Sequence, residues 1–119
     1  MLVIDLDSCE EFVAGDNTIL REVLSPTKQD VAVRYSLAHA IVRRGDVSLP
    51  HRLRTTEVYY ILEGQGIMYI GDEQAEVGPD QAIYIPPLSV QSIRNTGTTD
   101  LKFICIVDPA WRVEDEEVC

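Results

Sequence analysis

The chain has 119 residues, of which 45% are hydrophobic and 25% are charged. This length and balance are typical of one soluble globular domain and leave no room for a second domain of ordinary size. Its 20 acidic and 10 basic side chains give a net charge of −10. Such a charge repels phosphate backbones and anionic membranes, so neither nucleic acid nor a membrane surface is an expected partner.

The start of the chain and its cysteines favour a cytoplasmic location. Residues 1–7 contain no basic region followed by an apolar run, so no secretory signal is predicted. Cys9, Cys105 and Cys119 are far apart and odd in number, which indicates neither a disulfide framework nor a zinc knuckle. Reduced thiols are therefore expected.

Short strands separated by turns are predicted along the first part of the chain. Residues 8–14 allow a helical turn, and 18–24 read as a strand after the turn signal Gly15-Asp16-Asn17. Residues 31–42 alternate with a period of two, which predicts a strand with His39 on the same face as Leu37 and Ile41.

The second part of the chain continues the same pattern. Gly64 and Gly66 are not followed by a helix, so they indicate a hairpin turn and not a phosphate-binding loop. Eight or more short strands at even spacing predict an all-β sandwich or barrel. The predicted strands here are 57–62, 67–70, 75–77, 82–85, 90–94 and 101–107.

Residues 45–95 contain two spaced motifs that resemble those of the cupin superfamily. The first family motif runs Gly, five residues, His-x-His, three or four residues, Glu, six residues, Gly. Gly45, His51, Glu57 and Gly64 match it, and Leu53 stands where a second His is usual.

The second family motif runs Gly, five residues, Pro-x-Gly, two residues, His, three residues, Asn. Pro86 and Asn95 match it, whereas Asp80 and Leu88 replace the glycines and Gln91 replaces the His. The resemblance implies one cupin domain over residues 1–119, folded as a double-stranded β-helix, or jelly-roll, barrel.

In the family that the chain resembles, these His and Glu positions hold a metal ion. The resemblance therefore implies one divalent transition metal (Mn, Fe, Zn, Ni or Cu) bound by His51, Glu57 and the amide oxygen of Gln91. Leu53 offers no donor. The alternative is that His51 and Glu57 form a hydrogen-bonded polar pair in a pocket and that Gln91 contacts a ligand.

The chain has only two histidines, His39 and His51, so a site with two imidazoles must use His39. One hypothesis places His39 inside the barrel as a replacement ligand. The favoured interpretation is a structural histidine beside Leu37 and Ile41, because a lone His on an apolar face is usually structural.

Other pocket candidates follow from strand alternation and from position. If Glu57 points inward, Tyr59 does too, and Val58 and Tyr60 lie on the outer side. Cys105 is either a pocket thiol or a buried structural cysteine. Trp111 either covers the barrel mouth or caps the core.

Two functional classes remain open at this stage. One is a metal-dependent cupin enzyme of unassigned activity, and the other is a metal-free module that binds a small molecule without catalysis. By family analogy a homodimer formed through outer-face residues such as Val58 and Tyr60 is expected. The acidic tail from about residue 112 is expected to be a solvated segment.

Overall fold

Two antiparallel sheets form the computed structural model, which describes residues 1–119. The six-stranded sheet has the order β1-β2-β3-β10-β5-β8, and the five-stranded sheet has the order β11-β4-β9-β6-β7. Two 3-10 turns occur, at Leu6–Ser8 and Val113–Asp115. No helix has the length and apolar character that crossing a membrane requires. In chain order the strands are β1 (Glu11–Val13), β2 (Ile19–Leu24), β3 (Ser36–Val42), β4 (His51–Leu53), β5 (Thr56–Glu63), β6 (Gly66–Ile70), β7 (Glu73–Val77), β8 (Ala82–Ile85), β9 (Gln91–Asn95), β10 (Leu101–Asp108) and β11 (Glu116–Val118).

The predicted all-β jelly-roll fold is confirmed, and strand alternation explains how the sheets face each other. In β10, every second residue from Leu101 to Val107 is buried, while the residues between them are half-buried. β10 pairs with β3 on one side and with β5 on the other, so it lies near the middle of its sheet. Its inward residues therefore form one wall of the space between the two sheets.

The apolar core lies in that space. Tyr59 borders it, with its ring centroid 4.5 Å from that of Phe103. Such tilted aromatic contacts stabilise a core beyond the area that they bury. The fully or almost fully buried apolar side chains at the centre are Ile61, Ile85, Ile93, Leu101 and Phe103.

Three sequence predictions about strands are wrong. The strand predicted over 31–42 begins only at Ser36, and the segment 8–14 contains β1, which pairs with β2. β5 and β6 do not form a hairpin, because they belong to different sheets and β6 pairs with β7 and β9. The turn at Gly64 therefore carries the chain from one sheet to the other; a Cβ on Gly64 would lie 2.6 Å from the Asp100 carbonyl oxygen.

The acidic tail is mostly exposed, but part of it is a regular strand. Its residues Glu116–Val118 form β11, an edge strand that pairs antiparallel with β4. Arg52 contacts the strand at its exposed side, with its Nη2 2.8 Å from Glu117 Oε2. The charge of the tail gave no sign of this strand, because the partners of β11 in β4, and Arg52 beside Glu117, lie far away in the chain.

Two positions where the family motif has glycine keep the left-handed backbone that glycine favours. Asp80 has φ 66° and Leu88 has φ 65°. A left-handed conformation costs a non-glycine residue about 1–2 kcal/mol. Leu88 is 60% exposed, so its side chain gains little from burial to offset that cost.

Replacing Leu88 by Gly is therefore expected to raise the free energy of unfolding by up to about 1 kcal/mol, because the relief of strain exceeds the extra entropy of a glycine in the unfolded chain. Urea unfolding of the natural chain and of Leu88→Gly measures the difference. The control is Leu62→Gly, at a 45% exposed position of β5, which is expected to destabilise. Equal destabilisation by both changes would contradict the strain argument.

Candidate functional site

A cavity of about 90 Å³ lies between the two sheets, and the core residues Tyr59, Phe103 and Cys105 form part of its wall. Strands β1, β2, β3, β5 and β10 of one sheet and β4 and β11 of the other contribute to its walls, and the turn over residues 14–18 and Trp111 complete it. Of the residues proposed for the pocket from sequence, Tyr59, Cys105 and Trp111 all lie in this wall. The other lining residues are Phe12, Ala14, Gly15, Asp16, Thr18, Leu20, Glu22, Ser36, Ala38, Ala40, His51, Leu53, Glu57, Phe103, Val107 and Glu116.

A buried hydrogen-bond chain connects the two sheets beside this cavity. The Tyr59 hydroxyl donates to Gln91 Oε1 at 2.9 Å, and Gln91 Nε2 donates to Glu57 Oε1 at 2.8 Å. Glu57 and Tyr59 are two residues apart on β5, so they share a face, whereas Gln91 comes from β9 of the facing sheet. Both polar atoms of the Gln91 amide are thus used within the protein.

His51 lies at the start of β4, directly opposite Gln91 in the pairing of β4 with β9. Its Nδ1 is 2.8 Å from the Leu49 carbonyl oxygen. A carbonyl oxygen only accepts, so this bond assigns a proton to Nδ1. The other ring nitrogen, Nε2, lies 3.4 Å from Asp16 Oδ2. When Nε2 also carries a proton, this contact is a buried ion pair.

Asp16 is a site residue that the sequence interpretation missed. The turn signal at Gly15-Asp16-Asn17 was read only as a turn, but the side chain of Asp16 is buried in the cavity wall. Its Oδ1 accepts from the backbone N–H of Thr18 at 3.1 Å and from the Thr18 hydroxyl at 2.7 Å. These two bonds fix the carboxyl group and leave Oδ2 directed at His51.

Glu116 is the second missed residue, and it reaches the cavity from β11. It is paired with Leu53 of β4 and is half-buried. Gly15 gives its carboxyl group room, since a Cβ on Gly15 would lie 3.2 Å from Glu116 Oε2. Burial raises the pKa of Glu116, and attraction to His51 opposes that rise.

Burial, and to a lesser degree the neighbouring carboxyl groups, disfavours ionisation of Glu57. Burial raises its pKa to about 8; the hydrogen bond from Gln91 opposes this shift, and the charges of Asp16 and Glu116 add to it. Glu57 is therefore largely protonated at neutral pH. Burial also raises the pKa of Cys105 well above its usual value, so its thiol stays neutral and is a poor nucleophile.

His39 does not reach this cavity. It stands on β3 between Ala38 and Ala40, which both line the cavity, so strand alternation turns its side chain to the opposite face. Its pKa is lowered by burial and by the neighbouring charges of Lys102 and Arg21, which lie on that side of the sheet. The hypothesis that His39 supplies a replacement ligand inside the barrel is therefore not supported by its position.

The donor set at the family's metal positions does not fit a metal ion. Leu53 has no donor atom, the Gln91 amide is engaged by Tyr59 and Glu57, and Glu57 already accepts a hydrogen bond through Oε1. No group of three or more His, Cys, Asp and Glu side chains has the arrangement needed to hold a metal. Metal binding by His51, Glu57 and Gln91 stays a prediction from the resemblance.

Known proteins of similar structure share this architecture at low sequence identity. A polyketide cyclase, RemF from Streptomyces resistomycificus, superposes with a TM-score of 0.78 at 21% identity, over 91% of this chain and 79% of that chain. A predicted oxalate decarboxylase from Thermotoga maritima gives 0.79 at 19% identity, over 91% and 99% of the two chains. Streptomyces PAC13, in a variant with uridine, gives 0.79 at 19% identity, over 100% and 91%.

Sequence comparison identifies the family. An uncharacterized protein of Methanocaldococcus jannaschii, MJ1618, is 39% identical over 115 residues, which are 96% of this chain and 91% of that protein. The family model for the cupin domain matches residues 38–107, which include both motifs and the strands from Ala38 of β3 to Val107 of β10. This chain is therefore a member of the cupin domain family.

Proposed function

We propose that this cupin binds a small, largely apolar organic molecule in its cavity without the help of a metal ion. The hydrogen-bond chain from Tyr59 through Gln91 to Glu57 carries the proposal, because it uses the positions that would otherwise ligate a metal. Leu53 extends the apolar wall at the remaining position. The proposal assigns no reaction to the protein.

The cavity offers a ligand the mixture of surfaces that small-molecule sites usually have. Its walls are mainly apolar, with Leu20, Ala38 and Phe103 among them. A few polar groups converge on the same space, including the carboxyl of Glu57 and the paired side chains of His51 and Asp16. Apolar walls with a few fixed polar groups are typical of sites that hold an organic molecule in one orientation.

Two of the similar structures are compatible with this class of ligand. RemF is a polyketide cyclase, and PAC13 carries uridine. Each name refers to an organic molecule larger than a metal ion or a simple anion. At identities near 20% these likenesses support only the use of the fold for organic ligands, and they do not select the ligand.

Restoring the family's ligand pattern is expected to create a metal site that the natural chain lacks. The double variant Leu53→His/Gln91→His supplies the two missing imidazoles beside His51 and Glu57. It also removes the Gln91 amide, which donates a hydrogen bond to Glu57. We expect about one divalent transition metal per chain in this variant and far less in the natural chain. Inductively coupled plasma mass spectrometry, on proteins purified without a His-tag or a chelator, measures both.

The matched control is Leu62→His/Gln74→His, which makes the same two exchanges at exposed positions outside the cavity. This control is expected to bind no stoichiometric metal. Near-stoichiometric metal in the natural chain that is lost in His51→Ala would overturn the metal-free proposal and return the site to the metal-dependent alternative.

The buried carboxyl of Glu57 is expected to make stability depend on pH. Its pKa is about 8 in the folded chain against 4.5 for an unperturbed Glu. Between these values only the folded state keeps the proton, so the free energy of unfolding falls as pH rises, by at most about 1.4 kcal/mol per pH unit. Below this window both states are protonated, and above it both are ionised.

Urea unfolding of the natural chain and of Glu57→Gln, across the range from about pH 5 to about pH 8, tests this dependence. The difference in stability between the two proteins is expected to shift in favour of Glu57→Gln as pH rises. Glu76→Gln, which removes an exposed carboxyl of β7, serves as the control and should run parallel to the natural chain. Parallel profiles for Glu57→Gln as well would show that Glu57 ionises normally.

A further inference from the structure

The cavity approaches solvent only where the edges of the two sheets meet. β1 is an edge strand of the six-stranded sheet, and β11 is an edge strand of the five-stranded sheet. Of the residues that line the cavity, only Phe12 of β1, Gly15 of the following turn and Trp111 before the tail are exposed. All other lining residues are buried or half-buried. A ligand from solution therefore has to pass between β1 with its turn and the tail, along a line that we call the seam.

Side-chain contact alone closes the seam. A Cβ on Gly15 would lie 3.2 Å from Glu116 Oε2 and 4.0 Å from Val118 Cγ2, so the tail rests directly against the turn that follows β1. β1 pairs only with β2 and β11 only with β4. No backbone hydrogen bond joins residues 11–18 to residues 111–119. The seam can therefore open without breaking a strand ladder between the sheets.

The segment 112–119, which we call the strap, is attached weakly to the rest of the chain. None of its residues is buried. It is held mainly by the pairing of β11 with β4, a strand of only three residues, and by the Arg54 N–H, which donates to the Asp115 carbonyl oxygen at 3.0 Å. Segments with few buried apolar contacts and exposed backbone hydrogen bonds open at a lower free energy than the whole fold.

The chain immediately before the strap is held more firmly. Ala110 is buried, and its N–H donates to the Arg34 carbonyl oxygen at 2.7 Å. The N–H of Trp111 donates to the hydroxyl of buried Ser36 at 2.9 Å. The boundary between the fixed and the weakly attached chain thus lies at Trp111, beside the seam.

We infer that the strap is the gate of the cavity: residues 112–119 detach together from β4 and from the turn after β1, pivot at Trp111, and so admit the ligand. This inference rests on the proposed small-molecule binding function and adds the route by which the ligand enters. In the closed state Glu116 has Trp111 and His51 as neighbours, and opening takes its carboxyl group out of the cavity wall. Solvent then reaches the inner lining, which includes the thiol of Cys105.

The Cys105 thiol can report this opening without any ligand. The other two thiols, Cys9 and Cys119, are removed in the background variant Cys9→Ser/Cys119→Ser. Burial raises the pKa of Cys105, so its thiol reacts with methyl methanethiosulfonate only after the cavity opens. Mass spectrometry measures the reaction rate at several urea concentrations below the unfolding transition. Opening of the strap exposes little surface, so we expect a rate that hardly changes with urea, whereas reaction through global unfolding would rise steeply.

Two matched variants test whether the strap controls this reaction. Glu117→Gln removes the ion pair between the strap and Arg52, and Glu63→Gln removes a similarly exposed ion pair with Lys102 elsewhere on the surface. We expect Glu117→Gln to speed the thiol reaction about two- to fivefold, as the loss of an exposed ion pair allows. Hydrogen exchange of the Arg54 amide, followed by nuclear magnetic resonance, should speed up by the same factor. Glu63→Gln should change neither rate.

Three results would overturn the gate. The first is a Cys105 reaction that rises with urea as steeply as global unfolding does. The second is an equal acceleration by Glu63→Gln and Glu117→Gln. The third is faster exchange of the Arg54 amide in Glu117→Gln with an unchanged thiol reaction, because the strap would then open without giving access to the cavity.

These measurements separate the gate from the proposed binding function. Neither readout uses a ligand, so each of the three results removes the gate and leaves small-molecule binding standing. Near-stoichiometric metal that is lost in His51→Ala would instead overturn the metal-free binding proposal, and it would leave the opening of the strap unchanged.

Discussion

The hydrogen-bond chain of Tyr59, Gln91 and Glu57 is the constraint on which the site depends. It joins β5 of the six-stranded sheet to β9 of the five-stranded sheet inside the barrel. All three side chains are buried, so removing one member would leave buried polar atoms unpaired, at a cost of about 1–3 kcal/mol each. The facing sheets are therefore held in one relative position beside the cavity.

The exchange of His for Gln at position 91 has a chemical consequence of its own. A side-chain amide is a donor and an acceptor at once, so it can accept from the Tyr59 phenol and donate to the Glu57 carboxyl in the same conformation. A neutral imidazole turned toward a metal would present only a lone pair there. At the positions where the family has metal ligands, this chain therefore has the apolar Leu53 and a Gln91 whose amide hydrogen-bonds to Tyr59 and Glu57.

The sequence predicted the features that depend on local alternation and missed those that depend on distant pairing. β8 was predicted with its observed bounds, and the inward direction of Tyr59 followed from parity with Glu57. Asp16 and Glu116 were missed, because a turn aspartate and an acidic tail look solvated until their partners are known. β11 forms only through β4, a strand of three residues that carries no alternation signal. His39 shows the limit of alternation, which separates it from Ala38 and Ala40 but does not tell which of the two faces lines the cavity.

The crowding of acids at one end of the barrel needs a physical account, because each buried charge loses hydration that only a partner restores. Asp16 meets this need with His51 and two bonds from Thr18. Glu57 meets it by holding a proton, as its pKa of about 8 indicates; burial is the main cause of that value. A proton is a partner that can be exchanged, whereas a Lys or Arg side chain in the wall would be permanent.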